Sequence, residues 1–229
     1  MTRFKGLVAG LVVASGALSA SAASVYGFKN ITTNGNANAQ NGSSYSMTVT
    51  DEGSSGGFNF VSFLFENAVA GNPNPDSSIT GIWFYDGALL GATMSVTSSA
   101  GVSITGPAGG GPLPGGSAYG LPNTEWDFKA SSSGSPGGVN PGEWVKVTFQ
   151  LKIGKDFNDV ISSLTSGLTM PFTPGVDLVV GIHVQSLNDG QSNSFVNTAL
   201  IPLPPAAWMG LAGLLGVGVF RRRLVKVRG

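Results

Sequence analysis

At 229 residues the chain has room for one domain of ordinary size with processing segments at its ends, and two domains would be a squeeze. Thirty-five glycines, thirteen prolines and only 10% charged residues suit a loop-rich all-β protein better than a helical one. The formal charge of zero averages unlike parts: residues 23–204 hold all twelve carboxylates but only five basic side chains, a net charge of −7 that disfavours nucleic acid as a partner, and the lack of cysteine removes disulfides and thiol catalysis.

The first 22 residues have the three parts of a secretory signal peptide. Arg3 and Lys5 hold the start in the cytoplasm, residues 6–18 form an uncharged apolar stretch too short for a stable span, and Ala20 and Ala22 supply the small side chains that a signal peptidase accepts. Cleavage is expected after Ala22, with Ala23 as the alternative. The general secretion machinery and signal peptidase are therefore expected partners.

From residue 23 to 200, strand-like runs alternate with turn clusters. Ten strands are predicted, over 25–32, 45–50, 58–66, 79–86, 88–96, 101–105, 125–130, 143–153, 178–186 and 194–200. The clearest is 143–153, where Val145, Val147, Phe149, Leu151 and Ile153 fall on one face and Lys146, Thr148, Gln150 and Lys152 on the other. After Asp156, a residue type that caps free N–H groups, Phe157, Val160, Ile161 and Leu164 recur at helical spacing, which predicts one short helix closed near Gly167. Segments 106–123 and 131–142 are rich in Gly, Pro and Ser and read as long surface loops. The expected architecture is an antiparallel β-sandwich, jelly-roll-like, with that single helix.

Chemistry-bearing residues are sparse. The only histidine, His183, falls on the face of its strand opposite Leu178, Val180, Ile182 and Val184, and no Gly-x-Ser-x-Gly nucleophile elbow accompanies it. One histidine and no cysteine leave almost no zinc ligands. Glu125 and Asp127, with Trp126 between them, share a face and are the pair to weigh for sugar hydrolysis; Trp126 is the possible glycan contact. Trp83, Tyr85 and Trp144 are stacking candidates if exposed, although the run around Trp83 also reads as core. Loops 72–78 and 188–194 offer oxygen ligands suited to calcium, with Asp76 and Asp189 foremost, though any tight turn uses the same residues. Calcium is the one cofactor the residues suggest.

The C-terminal segment has its own order: a proline-rich motif Ile201, Pro202, Leu203, Pro204, Pro205; fifteen uncharged residues, 206–220; and a basic stop at Arg221, Arg222 and Arg223, followed by Lys226 and Arg228. Fifteen helical residues cover about 22 Å against a hydrocarbon layer of about 30 Å, a deficit that local thinning and snorkelling arginines make up. Basic flanks stay in the cytoplasm, so the domain is placed outside, in agreement with the leader.

These residues resemble the VPLPA-type variant of the PEP-CTERM sorting signals of Gram-negative bacteria that make exopolysaccharide. The matching positions are Pro202, Leu203, Pro204, Ala206, Ala207, Trp208, Gly213 to Gly216 and Arg221 to Arg223, with Ile201 in place of the usual Val and Pro205 where Ala is usual. The resemblance covers residues 201–229 and implies a transient inner-membrane anchor. It also implies an exosortase-like membrane protease as partner, and delivery to the cell surface or extracellular matrix. The expected function is a non-catalytic structural or adhesive component of the exopolysaccharide matrix. The alternatives are a carbohydrate-binding module acting on exopolysaccharide and a calcium-dependent adhesive domain.

Overall fold

A computed structural model describes residues 21–86, 88–107, 111–121, 123, 126–131, 137–167 and 178–200. The expected leader up to residue 20 and the tail from 201 to 229 lie outside the described residues, as does Glu125. All ten predicted strands form: β1 (Ala23–Asn30), β2 (Tyr45–Ser55), β3 (Phe58–Asn67), β4 (Ser78–Asp86), β5 (Leu90–Ser98), β6 (Ile104–Thr105), β7 (Trp126–Ala130), β8 (Trp144–Leu151), β9 (Leu178–Gln185) and β10 (Asn193–Leu200).

They hydrogen-bond in the order β5-β8-β3-β2-β1-β10-β9-β4-β7-β6, and every pairing is antiparallel. The protein is thus all-β, and its single sheet curls until it is nearly closed. Its two halves face each other across one core in sandwich fashion, while the ladder runs unbroken between them through the β1–β10 pair.

Period-two alternation explains which side chains meet inside. Val145, Val147, Phe149 and Leu151 of β8 point inward, as do Val61, Phe63 and Phe65 of β3, opposite Ile82 and Phe84 of β4 and Phe128 of β7. Phe84 is the centre of an aromatic cluster: its ring lies 5.0 Å from Phe63, 5.9 Å from Phe65, 5.8 Å from Phe128 and 5.0 Å from Phe149, each edge-on. Offset and edge contacts of this kind add to what area burial alone supplies.

Helix α1 (Phe157–Ser166) forms where the spacing predicts it. Asp156 Oδ1 accepts from the N–H groups of Asn158 and Asp159, and Asp159 returns the contact by accepting from Asp156 N–H, a capping box that satisfies the first turn. Val160 and Leu164 then turn into the core against β9.

One expectation changes. Segment 106–123 reads as a surface loop, yet its described part lies flat against the outer face of β4 and β9 as a strap, and so β4 is buried on both sides. Leu113 and Leu121 fill a second apolar cluster with Trp83, Tyr85 and Val179. Gly181 is what lets the strap in: a Cβ there would stand 2.6 Å from a Leu113 methyl.

Candidate functional site

Four places carry the side chains that the sequence singles out. The first lies under the strap. Trp83 and Tyr85 point outward from β4, Asp127 and Lys129 outward from β7, and the register pairs Trp83 directly with Asp127. Trp83 Nε1 donates to Gly111 O at 3.0 Å, and Leu113 N–H donates to Tyr85 Oη at 2.9 Å, so the strap is hydrogen-bonded down at two points. Burial, reinforced by the nearby Asp127 charge, pushes the Tyr85 phenol up to about 12. The Asp127 side chain is fully buried, meets Lys129 Nζ at 2.7 Å and has no hydrogen-bond donor for Oδ1 among the described residues. Lys129 also lies 5.6 Å from the Trp83 ring centre, within cation–π range. Beneath the strap, Asp127 is fully buried in an ion pair with Lys129.

Trp126 has the opposite orientation. Its half-buried ring packs edge-on against Phe149 at 5.4 Å, on the core side of β7. Of the four stacking candidates, Trp83 and Tyr85 are thus covered, Trp126 packs inward, and Trp144 alone looks out from the sheet.

The calcium candidates come together in part. Asn74 Oδ1 accepts from Asn188 N–H at 3.1 Å, which joins loop 72–78 to loop 188–194, and Asp76 lines the same open depression of about 630 Å³ as Asn188, Gly190 and Gln191. Asp189 is occupied differently. Its Oδ2 accepts from Asn36 N–H at 2.8 Å and its Oδ1 from Gln191 N–H at 3.2 Å, so the carboxylate ties the 33–41 loop to its own turn. No group of three or more His, Cys, Asp or Glu side chains that could hold a metal is found among the described residues.

His183 is half-buried on the outer face of β9, with Nδ1 3.1 Å from Ser194 Oγ; burial pushes its pKa down, so the ring is held neutral. That is a strand residue at rest, and among the described residues no carboxylate orients it as a base.

The fourth place is an outward-facing cleft of about 330 Å³ lined by Leu64 and Glu66 of β3 and Trp144 and Lys146 of β8. Register sets it: Glu66 stands opposite Trp144 and Leu64 opposite Lys146. Lys146 Nζ contacts Glu52 Oε1 at 3.3 Å, and the Ser62 hydroxyl donates to the same oxygen at 2.6 Å. The Ser62 hydrogen bond foremost, together with the Lys146 charge, holds the Glu52 carboxyl below the usual range. Trp144 as the outward aromatic is legible in the alternation of 143–153; the partner it meets across strands is not.

No protein-family model, curated protein or solved structure matches this chain.

Proposed function

We propose that the chain is an exported surface or exopolysaccharide-matrix protein, cut at both ends, whose β-domain has a structural or adhesive rather than catalytic role. One observation supports this reading above the others. The sheet begins at Ala23, one residue after the expected leader cleavage, and its last strand stops at Leu200, one residue before the proline motif. β1 and β10 are antiparallel neighbours in the middle of the strand order, and Tyr26 pairs with Leu200, so the chain enters and leaves the sheet at the same end of two adjacent strands. A domain tethered this way projects its remaining surface away from the membrane, and both cuts fall outside the ten strands, with loss of the bond from Asp51 N–H to the Ala22 carbonyl that extends the β1–β2 ladder. The jelly-roll-like description belongs to the same proposal: β1–β10, β3–β8 and β4–β7 nest as in a jelly roll, and the β4–β9 pair departs from that nesting.

In the proposed sequence of events the leader is removed after export, the apolar segment 206–220 holds the domain at the inner membrane, and an exosortase-like protease acts near 201–205. Prolines lack an N–H and restrict the residue before them, which disfavours helix, and an extended segment is what a protease reads. Replacing Pro202, Leu203 and Pro204 together by alanine is expected to leave export intact and trap the protein in the inner membrane, as read by membrane fractionation and surface labelling. Normal amounts of the variant outside the cell would show that the motif does not sort the protein.

A further inference from the structure

The outward cleft on β3 and β8 carries an inference beyond export and sorting, and it stands on the sheet face alone, independent of the tail. Trp144 is half-buried there, and its indole N–H has no acceptor among the described residues, whereas the indole N–H of the covered Trp83 is bonded to the strap. A half-buried Trp with its N–H unspent has apolar ring surface and one polar edge left to offer. Directly across the ladder, the exposed Glu66 carboxylate has neither a hydrogen-bond nor an ion-pair partner among the described residues. The cleft thus places an unmet donor and an unmet acceptor at the rim of an aromatic surface, with Leu64 extending the apolar floor. Lys146 closes the other side, already committed to Glu52.

That combination fits a sugar ring. The C–H face of a pyranose is apolar and its rim is a ring of hydroxyls that both donate and accept, so the stacking surface and the rim groups are satisfied together. Charge selects the kind of sugar. Lys146 is offset by Glu52, which leaves Glu66 uncompensated on a domain of net charge −7, and a uronate would be repelled. Toward β5 the face carries hydroxyl side chains, with Ser95 opposite Thr148 and Thr97 opposite Lys146, and the exposed Met94 beside them, so a chain longer than one residue meets ground without a carboxylate there.

We infer that the Leu64, Glu66, Trp144 and Lys146 cleft binds one neutral pyranose residue of a polysaccharide, with the ring stacked on Trp144 and its hydroxyls bonded to the Glu66 carboxylate and the Trp144 indole N–H. One aromatic on an open face gives weak binding, with a dissociation constant of roughly 1–10 mM. Many copies along one polymer would raise the effective strength without any new contact.

The test uses the full chain, labelled with ¹⁵N at its four tryptophans, in a zwitterionic detergent that carries no sugar headgroup. The Trp144 indole resonance is identified by its loss in Trp144→Phe. Cellohexaose, laminarihexaose, maltohexaose and hexagalacturonate are then titrated in turn. At least one neutral hexamer is expected to move that resonance saturably while the other three indoles stay in place, and hexagalacturonate is expected not to. Saturation-transfer signals on the neutral hexamer should weaken at least tenfold in Trp144→Ala and less in Glu66→Gln, whose amide keeps an acceptor. Unchanged positions of the other three indoles show that each variant is folded. The inference is overturned if no neutral hexamer moves the Trp144 resonance, if only hexagalacturonate does, or if the saturation-transfer signal survives Trp144→Ala.

Discussion

Phe84→Ala should lower the melting temperature by about 6–20 °C, because removal of a buried phenylalanine costs about 3–5 kcal/mol and each kcal/mol shifts a domain of this size by about 2–4 °C. Phe84 is fully buried and its ring meets Phe63, Phe65, Phe128 and Phe149, which come from both halves of the curled sheet. The cavity left by truncation would therefore sit between the halves, where neither ladder can shift to fill it without breaking register. Ile153→Ala is the matched control. Ile153 is 83% exposed just past the end of β8, and its loss should stay within about 0.5 kcal/mol, below the scatter of a melt. A Phe84→Ala midpoint within 2 °C or so of the parent would mean that the two halves do not share a core.

Asn193→Ala should be nearly as damaging, for a different reason. The Asn193 side chain is fully buried and makes four hydrogen bonds: Oδ1 accepts from Thr32 Oγ1 at 2.8 Å and Asn34 N–H at 2.9 Å, and Nδ2 donates to the carbonyls of Asn34 and Ala39, both at 2.9 Å. Alanine removes a mate from the Ala39 carbonyl, the Thr32 hydroxyl and the Asn34 backbone; Thr32 Oγ1 still accepts from Ser194 N–H and the exposed Asn34 can turn to water, so the Ala39 carbonyl is left worst off. Each orphaned buried group costs about 1–3 kcal/mol, so a total of roughly 3–5 kcal/mol is expected once water reaches the outermost of them. Asn193→Asp separates hydrogen bonding from shape, since it keeps the oxygen that accepts two bonds, replaces the Nδ2 donor by an oxygen facing the Asn34 and Ala39 carbonyls, and buries a charge; it should be no more stable than the alanine variant at neutral pH. Chemical denaturation of the three proteins side by side checks this. An Asn193→Ala midpoint equal to the parent's would show that loop 33–41 is held by something other than this side chain.

The strands were legible because each carries its own local pattern. Val145 to Leu151 alternate without a break, and the run from Ile79 to Tyr85 is apolar on both faces, as a strand covered on both sides must be. Asp156 and the Phe157, Val160, Ile161, Leu164 spacing likewise made α1 readable from its own residues. Pairing order was not legible, since nothing within β1 shows that Tyr26 will meet Leu200 at the far end of the domain. The strap was hidden for a related reason. Leu113 and Leu121 are isolated among glycines and prolines, and only the bare backbone at Gly181, far along the chain, makes a seat for Leu113. The asparagines were misleading in the other direction, because Asn67, Asn74 and Asn193 look like turn residues but are buried pins whose partners are backbone groups of distant loops. The outward place of Trp144 follows from alternation, whereas the unpaired Glu66 beside it depends on the β3–β8 register.

Under the proposed function, two cuts next to the adjacent strands β1 and β10 release a domain that runs from Ala23 to Leu200. The intact mass and terminal sequences of the protein recovered from the outside of the cell test that most directly. The account predicts a first residue at Ala23 and a last residue between 200 and 205; a surface protein that still begins at Met1, or still extends to Gly229, would contradict it.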